Sequence, residues 1–169
     1  GLYSLVSADV ALSDADTSTA GFLMRVVQSE EGLPNNTSAR EQHLRGEIGG
    51  ENVADDWQSD NYIWTVDLIN MDQNEGSAGE FYDRADGSTR DVFDEFIPGI
   101  PGVTDSTDNF TAEIKTVVKI PSAGLYTFGF NSDDGFRTSV GNDAADSLIV
   151  GEYNGGRGAA TTTFDVYFQ

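Results

Sequence analysis

Cysteine is absent from the 169 residues, and histidine occurs once, at position 43. That removes disulfides, thiolate nucleophiles and cysteine-ligated zinc, and a single imidazole cannot build a multi-histidine metal centre. Basic side chains are scarce too: nine Lys and Arg stand against 29 Asp and Glu, a formal net charge of −20. A field of that sign repels the phosphates of nucleic acid and the anionic leaflet of a membrane, so neither is expected as a partner. No apolar run approaches the roughly 18 residues that cross a bilayer, and no cationic segment with an apolar core opens the sequence. Direct membrane insertion is therefore not expected. Missing as well are G-x-S-x-G, H-E-x-x-H and the P-loop. Carboxylates are so abundant that a glycosidase-like pair carries no signal. The chain is not expected to be an enzyme.

What is present is enough to fold. Hydrophobic residues make up 38% and aromatics 11% of the chain, unlike the aromatic-poor acidic sequences that remain disordered. The length suits one domain with a substantial core. Hard oxygen donors are plentiful, which favours Ca2+ among the common ions and agrees with extracellular or cell-surface conditions.

Residues 1–20 read as an N-terminal arm or linker, since 7–20, "SADVALSDADTSTA", are small, polar and without periodicity. "GFLMRVVQ", 21–28, and "NYIWTVDLINM", 61–71, read as strands rich in aromatic and β-branched residues. Between them "SAREQHLRGEIGG" sets Ser38 three residues before Glu41 and ends in Gly49-Gly50, which predicts one helix containing His43. Residues 72–109 read mostly as loop, with the turn-forming "FIPGIPG" at 96–102. From 111, Ala112, Ile114, Thr116, Val118 and Ile120 alternate with Glu113, Lys115 and Lys119, and "LYTFGFN", "FRTSV", "SLIV" and "TTTFDVYF" follow as strands. Short strands between turn signals predict an all-β antiparallel sandwich with one short helix and long loops.

"GFNSDDGFR", 129–137, places Asp133 and Asp134 side by side at a strand end. Adjacent carboxylates repel unless protonated, solvated or bridged by a cation, and calcium uses six to eight oxygens. In a regular strand the two side chains point to opposite faces, so a cis peptide or a sharp bend is needed to aim both at one ion. The alternative is an ordinary acidic β-turn, in which Gly135 takes a positive φ.

The run "IPSAGLYTFGFNSDDGFRTSVGN", 120–142, resembles the PA14 domain, a β-sandwich of bacterial toxins, glycosidases, flocculins and adhesins. "FLMRVVQ", "IPGIPG" and "GEYNGGRGAA" extend the likeness over roughly 20–169. The resemblance implies a PA14-like β-sandwich at 21–169 and, as in the family's lectins, calcium held by two aspartates across a cis peptide, here Asp133 and Asp134. It implies an extracellular calcium-dependent carbohydrate-binding module for adhesion, with a glycan or polysaccharide as partner. Asn131, Arg137, Tyr153, Asn154 and Arg157 are candidate sugar contacts, offering planar hydrogen-bonding groups and an aromatic face. Trp57 and Trp64 are either core residues or stacking platforms. PA14 domains usually continue beyond the equivalent of "FDVYFQ", so the C-terminal strands and a further calcium ligand are expected to be missing. An open C-terminal edge would then invite self-association or strand addition. The alternative function is a structural or assembly module of a surface fibre or large secreted protein that binds no sugar.

Overall fold

The computed structural model describes residues 2–10, 18–73, 78–83, 90–93, 95–141 and 147–169; side chains of 78–83, 90–93 and Asp9 are outside the description. The fold is all-β: mostly antiparallel strands and, among the described residues, one short α-helix. It divides into two compact units. Unit 1 comprises 1–18, 35–38 and 117–169, and unit 2 comprises 19–34 and 39–116.

In unit 1, β1 (Ser4–Val6), β12 (Ala160–Phe168) and β9 (Gly124–Ser132) form a three-stranded sheet in the order β1-β12-β9. β9 and β12 pair antiparallel from Gly124↔Phe168 to Ser132↔Ala160, whereas β1 runs parallel to β12. A second sheet pairs β10 (Phe136–Val140) with β11 (Leu148–Tyr153). Alternation explains which faces meet: Tyr126, Phe128 and Phe130 on β9 are half-buried, while Leu125, Thr127 and Gly129, which alternate with them, are exposed. Val6, Val150 and Val166 form the buried centre, with Phe128, Val140, Phe164 and Phe168 packed on it. Phe130 stacks on Phe136 at 4.4 Å between centroids, and Phe128 on Phe164 at 5.8 Å. Gly151 lies against the Phe164 ring so closely that a Cβ there would overlap it. β11 therefore needs glycine where it passes over that ring.

Two expectations change here. Within the stretch read as an arm, 4–6 form a strand of the sheet, and 11–17 lie outside the described residues. The C-terminal strand is not an open edge, because β1 and β9 flank β12 on both sides.

In unit 2, β2 (Phe22–Gln28) lies between β3 (Ile63–Val66) and β8 (Phe110–Lys115), antiparallel to both. Met24 and Val26 point from β2 into a core with Ala54, Ile97 and Ile100. Gln28 is fully buried, and its Nε2 donates to the main-chain oxygens of Ser106 and Asp108 at 2.7 and 3.0 Å. Those bonds anchor the 104–109 stretch to the sheet. The peptide between Ile100 and Pro101 is cis.

The predicted strand at 61–71 is shorter than its composition implied, because Asn61 and Tyr62 take left-handed φ (58° and 62°) and 67–70 are not extended into the ladder. Residues 72–109, read mostly as loop, also contain short strands among the described residues. β4 (Met71–Asp72) pairs parallel with β7 (Glu95–Phe96), and β5 (Ala78–Asp83) pairs antiparallel with β6 (Arg90–Phe93). The alternation from 112 to 120 also stops early: β8 ends at Lys115, and Val117 and Val118 are exposed. The helix α1 (Thr37–Leu44) starts one residue before Ser38 and ends well before Gly49. Gly46, at φ 69°, donates to the His43 carbonyl at 3.0 Å, and Glu47 N–H reaches back to Gln42 at 2.9 Å. That pair of bonds is a Schellman cap, and it closes the helix at Gly46 before the double glycine is reached.

Candidate functional site

The end of β9 turns at Ser132-Asp133-Asp134-Gly135, and the Asp133–Asp134 peptide is cis. Asp133 is exposed and Asp134 half-buried. Gly135 is not in the left-handed region. A Cβ on it would stand 2.6 Å from the Tyr153 carbonyl oxygen and 3.0 Å from that of Gly155. Glycine is thus required by the close passage of the 153–157 loop and not by turn geometry. The same approach brings two main-chain carbonyl oxygens against the acidic turn.

Arg157 ties loop to turn. Its main-chain N–H donates to Asp134 Oδ1 at 3.0 Å, Nε to the Ser132 carbonyl at 3.0 Å, Nη2 to Ser132 Oγ at 2.8 Å and Nη1 to Thr162 Oγ1 at 2.7 Å. The guanidinium lies over the Tyr153 ring, 4.4 Å from its centroid, with Phe136 at 5.6 Å. Ser132 Oγ donates in turn to the Asp134 carbonyl at 2.7 Å. Arg157 therefore fastens the backbone of the loop to the acidic turn, its main chain holding Asp134 and its side chain holding Ser132.

A second group borders this one. Arg137 Nη2 pairs with Glu152 Oε1 at 2.7 Å and donates to Thr37 Oγ1 at 3.0 Å, while Thr37 Oγ1 donates to Glu152 at 2.7 Å. Those two hydrogen bonds, from Thr37 first and Arg137 second, hold the Glu152 carboxyl below the usual carboxylate range. Asn154 Oδ1 accepts the Thr37 N–H at 3.0 Å. Asn131, on β9, donates through Nδ2 to Thr161 Oγ1 at 3.0 Å.

All seven sequence-identified residues thus lie in unit 1, on β9 to β11 and the loops after β9 and β11. Asp133, Asp134, Tyr153 and Arg157 come together directly. Arg137 and Asn154 are joined through Thr37, and Asn131 sits on the strand leading into the turn. Sequence reasoning passed over Thr37, Ser132, Glu152 and Thr162. Thr37 lies a hundred residues from Arg137, and no local pattern announces the pairing. Asn35 was passed over as well; its Nδ2 would be 3.2 Å from a Cβ on Gly156, with Asp134 Oδ1 3.4 Å from the same point.

The donors around the turn suit a hard cation in type: carboxylate oxygens of Asp133 and Asp134, with the Tyr153 and Gly155 carbonyls facing the turn. They are few in number. Among the described residues no group of three or more His, Cys, Asp or Glu stands close enough together to hold a metal.

Comparison with known proteins adds one finding. Residues 73–145 match the family model of the PA14 domain, a span somewhat under half of the chain that includes the acid pair but not the 153–157 loop. No curated protein and no solved structure matches. The chain therefore carries a PA14-like domain, and the Asp133-Asp134 turn lies inside it.

Proposed function

We propose that the chain is an extracellular, calcium-dependent carbohydrate-binding module for adhesion, with Asp133 and Asp134 as its metal ligands. The observation that carries this reading is the pair of adjacent aspartates at the end of β9, next to a loop whose Tyr153 and Gly155 carbonyls pass close to the turn. The PA14 match is consistent with a carbohydrate-binding or adhesion-type module, from a family typical of extracellular proteins. In this reading Asp133 and Asp134 supply charge, the Tyr153 and Gly155 carbonyls supply neutral oxygen, and calcium when bound polarises and orients sugar hydroxyls. Arg157 keeps the loop in place, and the exposed edge of Tyr153 borders the ligand. Arg137, Asn154 and Asn131 act mainly by holding this surface rigid, since each has a protein partner. The module performs no chemistry on the sugar.

Isothermal titration calorimetry with CaCl2, followed by a glycan array with calcium or chelator, tests the reading. Heat of binding below ~1 mM calcium and chelator-sensitive glycan retention are expected. A chain that takes up no calcium in that range overturns it.

The second reading is an assembly module of a surface fibre or large secreted protein. It draws on β9, a nine-residue strand with an exposed Leu125 that pairs only with β12 among the described residues. Ordered filaments in electron micrographs, without glycan binding, favour it.

A further inference from the structure

Unit 2 carries a different surface feature. Trp57 is 74% exposed, an unusual placement for the largest apolar side chain. It borders an open depression of about 580 Å³ that is also lined by Asp55, Pro101, Val103 and Asp105. Every one of these residues belongs to unit 2.

The depression is built by main-chain bonds. Asp55 N–H donates to the Gly99 carbonyl at 2.9 Å, Val103 N–H to Val53 at 2.9 Å, and Gly102 N–H to Ser106 at 3.2 Å. Asp55 Oδ1 accepts the Trp57 N–H at 3.1 Å, fixing the backbone that bears the indole. Asp105 is held in the left-handed region at φ 58°, its N–H bonded to Gly102 at 3.0 Å. Gly102 itself is enclosed by the Gln28 amide and the Val53 carbonyl, which leave no room for a Cβ.

We propose that this depression is a binding site for an amino sugar, a pyranose bearing a free ammonium group, and that it works without calcium. The indole face offers a platform to the C–H face of a pyranose ring and to an adjacent cation. Asp55 and Asp105 accept from ammonium and hydroxyl groups. The net charge of −20 raises the local concentration of cations and rejects uronic or sialic acids. A neutral sugar would use the platform and leave the two carboxylates without the partner that best suits them.

Three β-1,4 disaccharides that differ only at C2 test this: di-glucosamine, its di-N-acetyl form and cellobiose, each titrated into the protein in EDTA. Binding is read by isothermal titration calorimetry for every protein, and in those that keep Trp57 also from the NMR shift of its indole N–H. Di-glucosamine is expected to bind at least ~5-fold more tightly than the other two, with affinity falling as salt is raised. Trp57→Ala should weaken it at least ~5-fold. The isosteric double variant Asp55→Asn, Asp105→Asn keeps the acceptor of the Trp57 N–H and suits the left-handed φ, so it should abolish the preference while leaving the fold intact. No shift at ~10 mM ligand, equal affinity for the three sugars, or binding indifferent to Trp57→Ala overturns the proposal. Because calcium is chelated throughout, the outcome is independent of the acid pair in unit 1.

Discussion

Arg157 holds Asp134 through its main-chain N–H, at 3.0 Å, while its guanidinium is engaged by Ser132, Thr162 and the Tyr153 ring. The acidic turn and the loop beside it are thereby one construction. Asp134 faces inward to that loop, and Asp133 faces water.

The two aspartates should consequently separate under mutation. Asp133→Asn is expected to remove calcium binding and leave the melting temperature of the metal-free protein within about 1 °C, because an exposed side chain is being changed to its isostere. If calcium is bound by the wild type, saturation at 100 times its Kd raises stability by roughly 2.7 kcal/mol, and that increment should vanish in the variant. Differential scanning fluorimetry with and without calcium measures both.

Arg157→Ala removes three side-chain hydrogen bonds and a ring contact. A loss of about 2 kcal/mol is expected, moderated by the partial exposure of the group. Arg157→Lys should recover little of it, since an ammonium cannot reach Ser132 and Thr162 as a fork does. Chemical denaturation of the three proteins gives the comparison.

His43 is 4% exposed, and its Nδ1 lies 2.9 Å from Thr111 Oγ1. Burial, with the Arg40 charge as a lesser cause, lowers its pKa below the ordinary 6.5. The unfolded chain then takes up the proton first as pH falls, so stability is full above about 6.5 and declines below it toward the lower folded-state value. His43→Gln should flatten the curve between pH 7.5 and 5.5. Glu152, held below 4.5, contributes a separate loss only at more acid pH, where the folded carboxylate is finally protonated. A denaturation series across pH distinguishes the two.

Gly151→Ala drives a methyl group into the Phe164 ring. The core of unit 1 cannot absorb it without moving the aromatic stack, and a cost of about 1–3 kcal/mol is expected in urea melts. Gly158→Ala, where nothing stands within 4 Å of the added carbon, is the matched control.

Much of this was readable from residue pattern, and the failures share a cause. β2, β9, β10 and β12 announced themselves by alternation and aromatic content, because each buries one face. β1 did not: three residues beside a polar stretch become a strand only because β12, some 160 positions later, offers them an edge. The β5–β6 hairpin was hidden by a segment rich in Gly, Asp and Asn, whose composition signals turns more strongly than pairing. At the helix end, sequence offered three glycines, and only the bonds to His43 and Gln42 select Gly46. The acid pair was legible because two carboxylates at a strand end demand an explanation. Its supports were not, since the links from Thr37 to Arg137, Glu152 and Asn154 are facts of topology.

The parallel pairing of β1 with β12 also fixes an order of events. Ser4–Val6 register against Val166–Phe168, so a ribosome must deliver about 160 further residues before β1 has its partner strand. Loop-closure entropy grows with that separation, and non-local pairing is slow. Unit 2, by contrast, draws its three-stranded sheet from 22–28, 63–66 and 110–115 and is available for assembly earlier. Pulse-labelled hydrogen exchange during refolding should protect β2 and β8 before β12, and simultaneous protection would count against this sequence. Ser4–Val6 are thus made long before the strand that secures them, a clasp that shuts after the rest of the module exists.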